Sequence, residues 1–531
     1  MSPTHTPTRR VKVLGPPGDR HGEILTPAAL DFLARLDEAF AGRRREVLTA
    51  RRHRSDRLAS GSPLDFPRAT SAVRDDPHWR VAPPAPGLND RRVEITSPPT
   101  PRMAVNALNS GARVWMADFE DATSPHWENI VGGQLTLLDA CRGRLDFTGP
   151  EGKEYRVGPD LPTVMVRPRG WHLEEEHLTV DGRPLSASLV DFGLYLFHCA
   201  QRRIDVGSGP YFYLPKLENR YEARLWNDVF VFAQDLLGIP RGTVRATAII
   251  ETVTAAFEME EILYELREHS AGLNAGRWDY LFSLIKTFGH RARFLLPDRT
   301  EITMTAPFMS AYAELLVRTC HRRGAHAIGG VAAHVPATGA VADPAASARV
   351  RLDKECEARA GFDGSWVAHP ALVPVCREVF DLHLGGGPHQ IHRPVGGVPV
   401  RAADLLSVRR SALPPGTEQI RSNVAVALRY FDAWLRGRGA VALDGLLEDT
   451  ATAEIARARL WQWLRHRVVT QEELFGVIDA EAAALAAEQP GALVAEAREI
   501  LERTLVSREL PDHFTTEAYR RHLVRRTEAS S

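Results

Sequence analysis

The sequence predicts an α/β protein centred on a closed (β/α)8 TIM barrel, with helical regions on both sides of it along the chain. Eight short apolar or β-branched runs recur between residues 92 and 370, and segments of helical periodicity separate several of them. Alternating strand and helix is typical of a parallel sheet, and eight such units fit a closed barrel. At 531 residues the chain is also too long for one ordinary core, so we expect several domains.

The predicted strands are short, and a polar cluster follows each of them. They lie at 92–97, 113–120, 162–169, 210–216, 245–251, 272–282, 324–330 and 364–370. Segments such as YEARLWNDVFVFAQDLL and FMSAYAELLVRTCHRRG supply the helices between strands. Around the third strand, the turn-rich sequences DFTGPEGKEYRVGPD and HLTVDGRP predict β-hairpins, and therefore a small inserted β-containing domain at about 135–185.

The two ends of the chain are predicted to be helical. Residues 24–60 have helical periodicity, with Pro27 near the start and Gly61 after the end. Four helical segments near the C-terminus form a predicted bundle. The predicted domains are an N-terminal helical region with linker at 1–90, the barrel at 91–375, a linker at 376–420 and a C-terminal helical domain at 421–531.

Composition excludes several classes of protein. The 66 basic and 67 acidic residues nearly cancel, so net charge favours neither nucleic acid nor an acidic membrane as a partner. No apolar run approaches the roughly 20 residues that span a bilayer. The five cysteines are scattered and include no CxxC pair, which indicates reduced thiols in a cytoplasmic protein.

Charged side chains follow several predicted strands, at the end of a barrel that carries the active site. They are Asp118, Glu120, Asp121, Arg167, Arg169, Lys216, Glu251 and Asp279. Converging carboxylates repel one another unless a cation lies among them, and oxygen ligands without cysteine favour Mg²⁺ over zinc. Glu251 and Asp279, on adjacent predicted strands, are the expected direct ligands. Asp118 and Glu120 are expected to hold metal-bound waters.

Each of these residues also has a structural interpretation. A glutamate after a strand is often solvated or caps a helix, and an arginine there often forms an ion pair. His269 is expected to be a structural histidine. Residue types alone therefore leave both interpretations open.

The segment REHSAGLNAGRWDYLF, residues 267–282, places two glycines, an asparagine and an aspartate inside an apolar run. It resembles the signature of the malate synthase family, whose members join acetyl-CoA to glyoxylate. Three further segments are similar to the shorter A form of that family: WMADFEDATSPHWEN, GPYFYLPKLEN and GLLEDTATAEIARARLWQWL. The resemblance extends from about residue 24 into the C-terminal helices, which is nearly the whole chain.

The resemblance implies a barrel with an N-terminal helical clasp, an inserted small domain and a C-terminal helical plug. It implies Mg²⁺ held by Glu251 and Asp279, and a catalytic pair formed by Arg167 and Asp449. Asp449 would remove a proton from the methyl group of acetyl-CoA, while Arg167 stabilises the enolate oxygen. Hydrolysis of malyl-CoA would then release malate and CoA.

The resemblance also implies substrate contacts. Gly276, Arg277 and Trp278 lie within the signature, and Gly276 lets backbone N–H groups approach the carboxylate of glyoxylate. Pro370 matches a position that lines the acetyl-CoA channel of the family. Because the expected base and the expected metal lie on different domains, we expect the C-terminal domain to close over the barrel. The oligomeric state, monomer or homo-oligomer, stays open.

Two other functions fit parts of this pattern. A malyl-CoA or citramalyl-CoA lyase-type barrel shares the metal and the arginine, but LLEDTATAEI in a C-terminal helical plug argues against it. A catalytically silent barrel acting as a binding protein would be expected to lack one of the four key residues, and all four are present. One departure from the family is that Ala440 and Ala442 replace a frequent cysteine and proline, which predicts a looser loop before Asp449.

Overall fold

The computed structural model describes residues 10–149, 151–298, 301–335, 344–393, 396, 398–408 and 414–525. Part of the predicted 376–420 linker, including residues 409–413, lies outside the described residues.

The described residues form strands of two to seven residues. They are β1 (Lys12–Val13), β2 (Val93–Ser97), β3 (Val114–Asp118), β4 (Phe147–Thr148), β5 (Glu154–Tyr155), β6 (Thr163–Arg167), β7 (Glu174–Val180), β8 (Arg183–Ser186), β9 (Tyr211–Leu214), β10 (Arg245–Ile250), β11 (Ser270–Ala275), β12 (Ala327–Ala332), β13 (Gly364–Val367), β14 (Val441–Leu443) and β15 (Leu446–Glu448).

Helices connect and flank these strands. They are α1 (His21–Ile24), α2 (Pro27–Ala59), α3 (Ser71–Asp75), α4 (Pro101–Leu108), α5 (Trp127–Arg142), α6 (Ala187–Asp205), α7 (Arg220–Leu237), α8 (Val253–Ala256), α9 (Met259–Glu265), α10 (Arg277–Phe288), α11 (Pro307–Arg323), α12 (Pro344–Ala360), α13 (Val373–Leu384), α14 (Ala402–Leu405), α15 (Thr417–Leu435), α16 (Thr450–Arg465), α17 (Gln471–Glu488), α18 (Val494–Val506) and α19 (Phe514–Ala518). No helix in the described ranges combines the length and apolar character that crossing a bilayer requires.

Eight parallel strands close into a barrel. Their order around it is β2, β3, β6, β9, β10, β11, β12 and β13, and β13 pairs with β2 to complete the circle. The predicted (β/α)8 class is therefore confirmed, and each of the eight predicted runs contains or overlaps one of these strands. Apolar side chains fill the interior of the barrel, including Val114, Met116, Met165, Tyr211, Tyr213, Ile249, Ile328 and Trp366.

The sixth predicted strand is wrong in its second half. The strand β11 ends at Ala275, and α10 begins at Arg277, so residues 277–282 are helical rather than extended. Buried residues then recur at helical spacing, at Tyr280, Leu281 and Leu284. Asp279 consequently lies in the first turn of a helix and not at a strand end.

Two hairpins flank β6, as the turn-rich sequences predict. The strands β4 and β5 pair antiparallel before β6, and β7 pairs with β8 after it. Asp181 and Gly182 connect β7 to β8 with φ values of 51° and 74°, as the favoured two-residue hairpin turn requires. The short N-terminal strand β1 adds to the free edge of β7.

The long N-terminal helix α2 packs outside the barrel, against α6 and α7. Thr26 caps its start by accepting a hydrogen bond from the Ala29 N–H at 3.2 Å. Near its other end, the buried Arg51 donates to the Glu222 carboxylate and to the Lys216 carbonyl oxygen. This contact links the helix to the polar end of β9.

The C-terminal helices α15 to α18 pack on one another, and α16 also lies along the barrel helix α10. Gln462 on α16 donates to the Phe294 carbonyl oxygen at 2.9 Å, and Trp461 contacts the ring of His290 edge-on. The four predicted C-terminal helices are thus present, and they are docked against the barrel.

A buried ion pair lies inside the barrel, near the start of β2. The Arg91 guanidinium donates to Glu94 at 2.6 Å, to the Tyr213 hydroxyl at 2.6 Å and to the Ala271 carbonyl oxygen at 2.6 Å. Neither charged side chain is exposed. Removing one partner of such a pair leaves an uncompensated buried charge.

We therefore expect Arg91→Met to destabilise the protein by about 3–5 kcal/mol, measured as a lower urea midpoint of unfolding. The exposed pair of Arg241 and Asp235 provides the control, and Arg241→Met should leave the urea midpoint nearly unchanged. Equal effects of the two substitutions would contradict the structural role assigned to Arg91.

Candidate active site

A cavity opens at the carboxyl ends of the barrel strands, and we call it the front cavity. Barrel residues Arg167, Glu251 and Asp279 line it from one side. Asp449, which precedes α16 in the C-terminal region, lines it from the other. Four residues separated by up to 282 positions in the sequence therefore face one space.

The sequence-predicted substrate residues divide between two locations. Gly276, Arg277 and Trp278 line the front cavity, together with Trp366. Pro370 begins a short 3-10 turn after β13 and is not among the described residues that line this cavity. Its predicted place in an acetyl-CoA channel stays a prediction.

Three buried carboxylates converge in the front cavity. Asp121 follows β3, Glu251 follows β10, and Asp279 lies in the first turn of α10. One carboxylate oxygen from each lies within 4.8 Å of the other two. Three carboxylate oxygens this close together are a donor set that could hold a divalent cation such as Mg²⁺.

Lys216 is the cation at the centre of this group. Its Nζ lies 2.8 Å from Asp121, 3.0 Å from Asp279 and 3.4 Å from Glu120. Its backbone N–H donates to the Glu251 carboxylate, and its φ of 53° places it in the left-handed region. Lys216 thus contacts every member of the trio, and these contacts hold it in a conformation that non-glycine residues rarely adopt.

Arg167 is held rigidly at the end of β6. Its Nε and Nη2 donate to the two oxygens of Asp118 at 2.6 and 2.5 Å, and its Nη1 lies 2.9 Å from Asp121. A guanidinium has five N–H donors, so these three contacts leave two for a substrate oxygen. Asp118 also accepts hydrogen bonds from the backbone of Glu120 and Ala122. Its partners therefore favour positioning Arg167 over the predicted role of holding metal-bound waters.

Glu120 is buried as well. Its carboxylate accepts a hydrogen bond from the Gly170 N–H and faces Lys216. Burial raises the pKa of Glu120 to about 7, although attraction by Lys216 opposes this rise. A carboxyl group in contact with Lys216 is compatible with the predicted supporting role around a metal.

Asp449 caps the N-terminus of α16. Its carboxylate accepts a hydrogen bond from the Thr452 N–H at 3.2 Å, and the Thr452 hydroxyl accepts one from the Asp449 N–H. The protein environment desolvates this carboxyl and raises its pKa to about 7; repulsion by Asp121 adds to this rise, and attraction by Arg167 opposes it. A carboxyl with such a pKa can hold or release a proton near neutral pH.

Negative charge exceeds positive charge in this region. Among the described residues, the buried carboxylates Asp118, Glu120, Asp121, Glu251 and Asp279 lie beside the cations Arg167 and Lys216, which leaves three formal negative charges. Burial raises the pKa of Glu251 well above its usual range and also raises the pKa of Asp279. A bound divalent cation would relieve this repulsion.

An unsatisfied atom gives a second reason to expect a cation. Asp279 Oδ2 contacts Lys216, but its Oδ1 is buried and has no hydrogen-bond partner among the described residues. The donor set consists of oxygens only, which fits Mg²⁺ better than zinc. Asp121, Glu251 and Asp279 are therefore the residues that could hold the ion.

Gly276 is required by the close approach of Glu251. A Cβ at position 276 would lie 2.6 Å from the Cβ of Glu251 and 3.0 Å from its carboxylate. Gly276 also caps α10, whose first residues are Arg277 and Trp278. The free N–H groups of a helix start can bind a carboxylate, which is consistent with the predicted glyoxylate contact.

The sequence pattern placed Asp121 and Lys216 at strand ends but gave neither a role. The run of three acidic residues at 118–121 does not reveal which carboxylate points toward Glu251. Lys216 likewise gave no signal beyond its position. Only the three-dimensional arrangement assigns Asp121 to the trio and Lys216 to its centre.

Family models cover most of the chain. The model "Malate synthase, N-terminal domain" matches residues 9–71, "Malate synthase, TIM barrel domain" matches 163–408, and "Malate synthase, C-terminal" matches 415–522. These matches include Arg167, Glu251, Asp279 and Asp449.

Relatives match over nearly the full length. A malate synthase of Streptomyces clavuligerus is 55% identical over 537 aligned positions, which cover 97% of this chain and 98% of the relative. A malate synthase of Oryza sativa subsp. japonica is 47% identical, and the alignment covers 100% of this chain and 98% of the relative. Among solved structures, a Haloferax volcanii malate synthase in a pyruvate/acetyl-CoA ternary complex is 19% identical, with a TM-score of 0.48 over 74% of this chain and 98% of that chain.

The position of Asp121 leads to a test of the metal site. We expect Asp121→Asn to weaken Mg²⁺ binding by at least about tenfold, because it removes one charged oxygen ligand. The measurement is the Mg²⁺ concentration that half-saturates the thermal stabilisation of the protein.

Asp353→Asn is the matched control, because Asp353 lines the same cavity outside the trio. An unchanged half-saturating concentration in Asp121→Asn would remove Asp121 from the ligand set.

Proposed function

The chain belongs to the malate synthase family and is an acyltransferase, and we propose that it condenses acetyl-CoA with glyoxylate at the front cavity. The observation that carries this proposal is the position of Asp449. A carboxylate from the C-terminal region faces the same cavity as Arg167 and the acidic trio of the barrel. A malate synthase that is 55% identical over 97% of this chain disfavours the lyase-type and silent-barrel alternatives.

Asp449 is the proposed base. The methyl group of a thioester is a very weak carbon acid, so the base must be close to neutral pKa and the enolate must be stabilised as it forms. The pKa of about 7 meets the first need. The side chain faces the cavity from the start of α16, where the thioester methyl group can be placed against it.

Arg167 is the proposed stabiliser of the enolate oxygen. Its two remaining N–H donors can reach a substrate oxygen, because the other three contacts hold the guanidinium fixed. Arginine keeps its charge in a buried site, which a lysine can lose. The ion pairs with Asp118 and Asp121 raise the Arg167 pKa further.

Glyoxylate is proposed to bind between the acidic trio and the start of α10. When bound by Asp121, Glu251 and Asp279, Mg²⁺ would polarise the aldehyde carbonyl of glyoxylate. The backbone N–H groups after Gly276 would hold the glyoxylate carboxylate. Such contacts would direct the aldehyde carbon toward the space shared by Arg167 and Asp449.

After the enolate has formed, the proposed reaction has two steps, condensation and hydrolysis. The enolate carbon bonds to the aldehyde carbon, and the aldehyde oxygen takes a proton to give malyl-CoA. Water then cleaves the thioester to malate and free CoA. The front cavity suits the first step because its lining combines these polar groups with apolar side chains such as Trp278, Met304 and Leu447.

Asp449→Asn tests the proposed base. We expect it to slow the exchange of acetyl-CoA methyl protons in D₂O, measured by mass spectrometry, by about 10²–10⁴-fold. Glyoxylate binding in the presence of Mg²⁺, measured by calorimetry, should stay unchanged.

Asp444→Asn is the control for this experiment. Asp444 lies in the turn between β14 and β15 with a φ of 48°, a conformation that asparagine also tolerates. Exchange at the wild-type rate in Asp449→Asn would mean that another group is the base.

A further inference from the structure

A second cavity reaches the acidic trio from the opposite side, and we call it the rear cavity. It lies between α2, α10 and the segment before α19, and Glu251 and Asp279 line both cavities. The outer part of the rear cavity includes exposed residues, Arg52, Ser55 and Asp56 of α2. Two carboxylates of the trio therefore border both spaces, and the rear one extends to the protein surface.

The two cavities differ in polarity. Apolar side chains such as Met304 and Trp278 contribute to the front cavity. The rear cavity has a larger polar share, with hydroxyl, imidazole and charged side chains that include Thr254, Ser283, Lys286 and His513. Polar walls with several donors and acceptors are the surroundings that buried water requires.

His172 is an unusual component of the rear cavity. Both of its ring nitrogens are buried and have no hydrogen-bond partner among the described residues. Its ring lies against the His513 ring, tilted by 32°, with 4.3 Å between the centroids. Burial lowers the pKa of His172 well below its usual value, so the ring is neutral and offers one donor and one acceptor.

His172 also lies near the metal-site carboxylates. A Cβ on Gly170 would lie 2.9 Å from the His172 ring and 3.2 Å from the Glu120 carboxylate. Glu120 in turn contacts Lys216, which binds Asp121 and Asp279. His172 is therefore placed at the inner end of the rear cavity rather than at its opening.

We propose that the rear cavity admits the water that hydrolyses the thioester, and that His172 positions this water. The inference rests on the proposed function, because a thioester bound in the front cavity would itself obstruct the approach of water from that side. The rear cavity, which borders Glu251 and Asp279, then offers water a route to the reacting carbon from the barrel side.

The proposed step balances without a further reactant. The water oxygen bonds to the thioester carbonyl carbon, and the carbon–sulfur bond breaks with its electron pair on sulfur. The thiolate takes one proton from the water, and the other is released with the new carboxylate. His172 acts as a positioning residue here, since it would hold the water without forming a bond to the substrate.

The test separates hydrolysis from condensation. Purified full-length protein is given acetyl-CoA, glyoxylate and Mg²⁺, and acetyl-CoA, malyl-CoA and free CoA are quantified by chromatography over single turnovers. The wild type should release one CoA for each acetyl-CoA consumed. In His172→Phe, this ratio should fall by about fivefold or more, with malyl-CoA accumulating, because one hydrogen bond to water is lost.

Two further variants keep the test independent of how His172→Phe folds. Ser55→Trp places a bulky ring at the outer part of the rear cavity and should also lower the ratio. Ala50→Trp, on an exposed position of the same helix that does not line the cavity, should leave it at one. His172→Gln, which keeps a donor and an acceptor, should restore most of the loss.

Each other outcome decides against the proposal or against its premise. A ratio of one in His172→Phe and Ser55→Trp would overturn the proposal. Loss of acetyl-CoA consumption and CoA release together in folded His172→Phe would also overturn it, since His172 would then serve condensation. If the wild type consumed no acetyl-CoA, the proposed function itself would fail instead.

Discussion

The contact of Lys216 with three carboxylates is the interaction on which the site depends. Five buried carboxylates lie at one end of the barrel, and among the described residues Lys216 and Arg167 are the cations that form ion pairs with them. Burying a charge without a partner costs several kcal/mol, so without Lys216 this end of the barrel would reorganise or take up protons. The strained backbone of Lys216 persists because its side chain and its N–H are both held by carboxylates of the site. The stability of this end of the barrel and its capacity to bind a metal therefore depend on the same charged residues.

The C-terminal region is joined to the barrel through the loop after β3. The Thr450 N–H donates to the Asp121 carbonyl oxygen at 3.2 Å, one residue after Asp449. The Tyr430 hydroxyl contacts Thr450 and donates to Gly439, where a Cβ would lie 2.4 Å from the Ser124 nitrogen. The loop that carries Asp121 thus also fixes the proposed base. The C-terminal region therefore lies against the barrel at the site, and its closure during the reaction stays a prediction.

The sequence predicted the fold well because the fold depends on periodicity and turn chemistry. The barrel strands, the long helix from Pro27 and the Asp181–Gly182 hairpin all have strong local signals. The boundary at Gly276 was missed because a glycine between two apolar runs fits a strand and a helix start equally well. The sequence could not show that Asp121 rather than Asp118 belongs to the acidic trio. That distinction depends on Arg167, which donates to both carboxylate oxygens of Asp118. His172 likewise gives no local signal, because its importance lies in the partners that its buried nitrogens lack.

Two helix starts face the front cavity, and their N-termini stabilise the carboxylate form of the acidic groups there. Gly276 caps α10 and Asp449 caps α16, and these helices pack along each other. The N-terminus of a helix carries about half a positive charge, which favours carboxylates in its first turn and anionic ligands beyond it. Asp279 and Asp449 occupy such positions, so each is stabilised as an anion by its own helix while burial opposes ionisation. For Asp449, the Thr452 N–H supplies that stabilisation directly and holds the pKa to about 7, close to where a base for a weak carbon acid must lie.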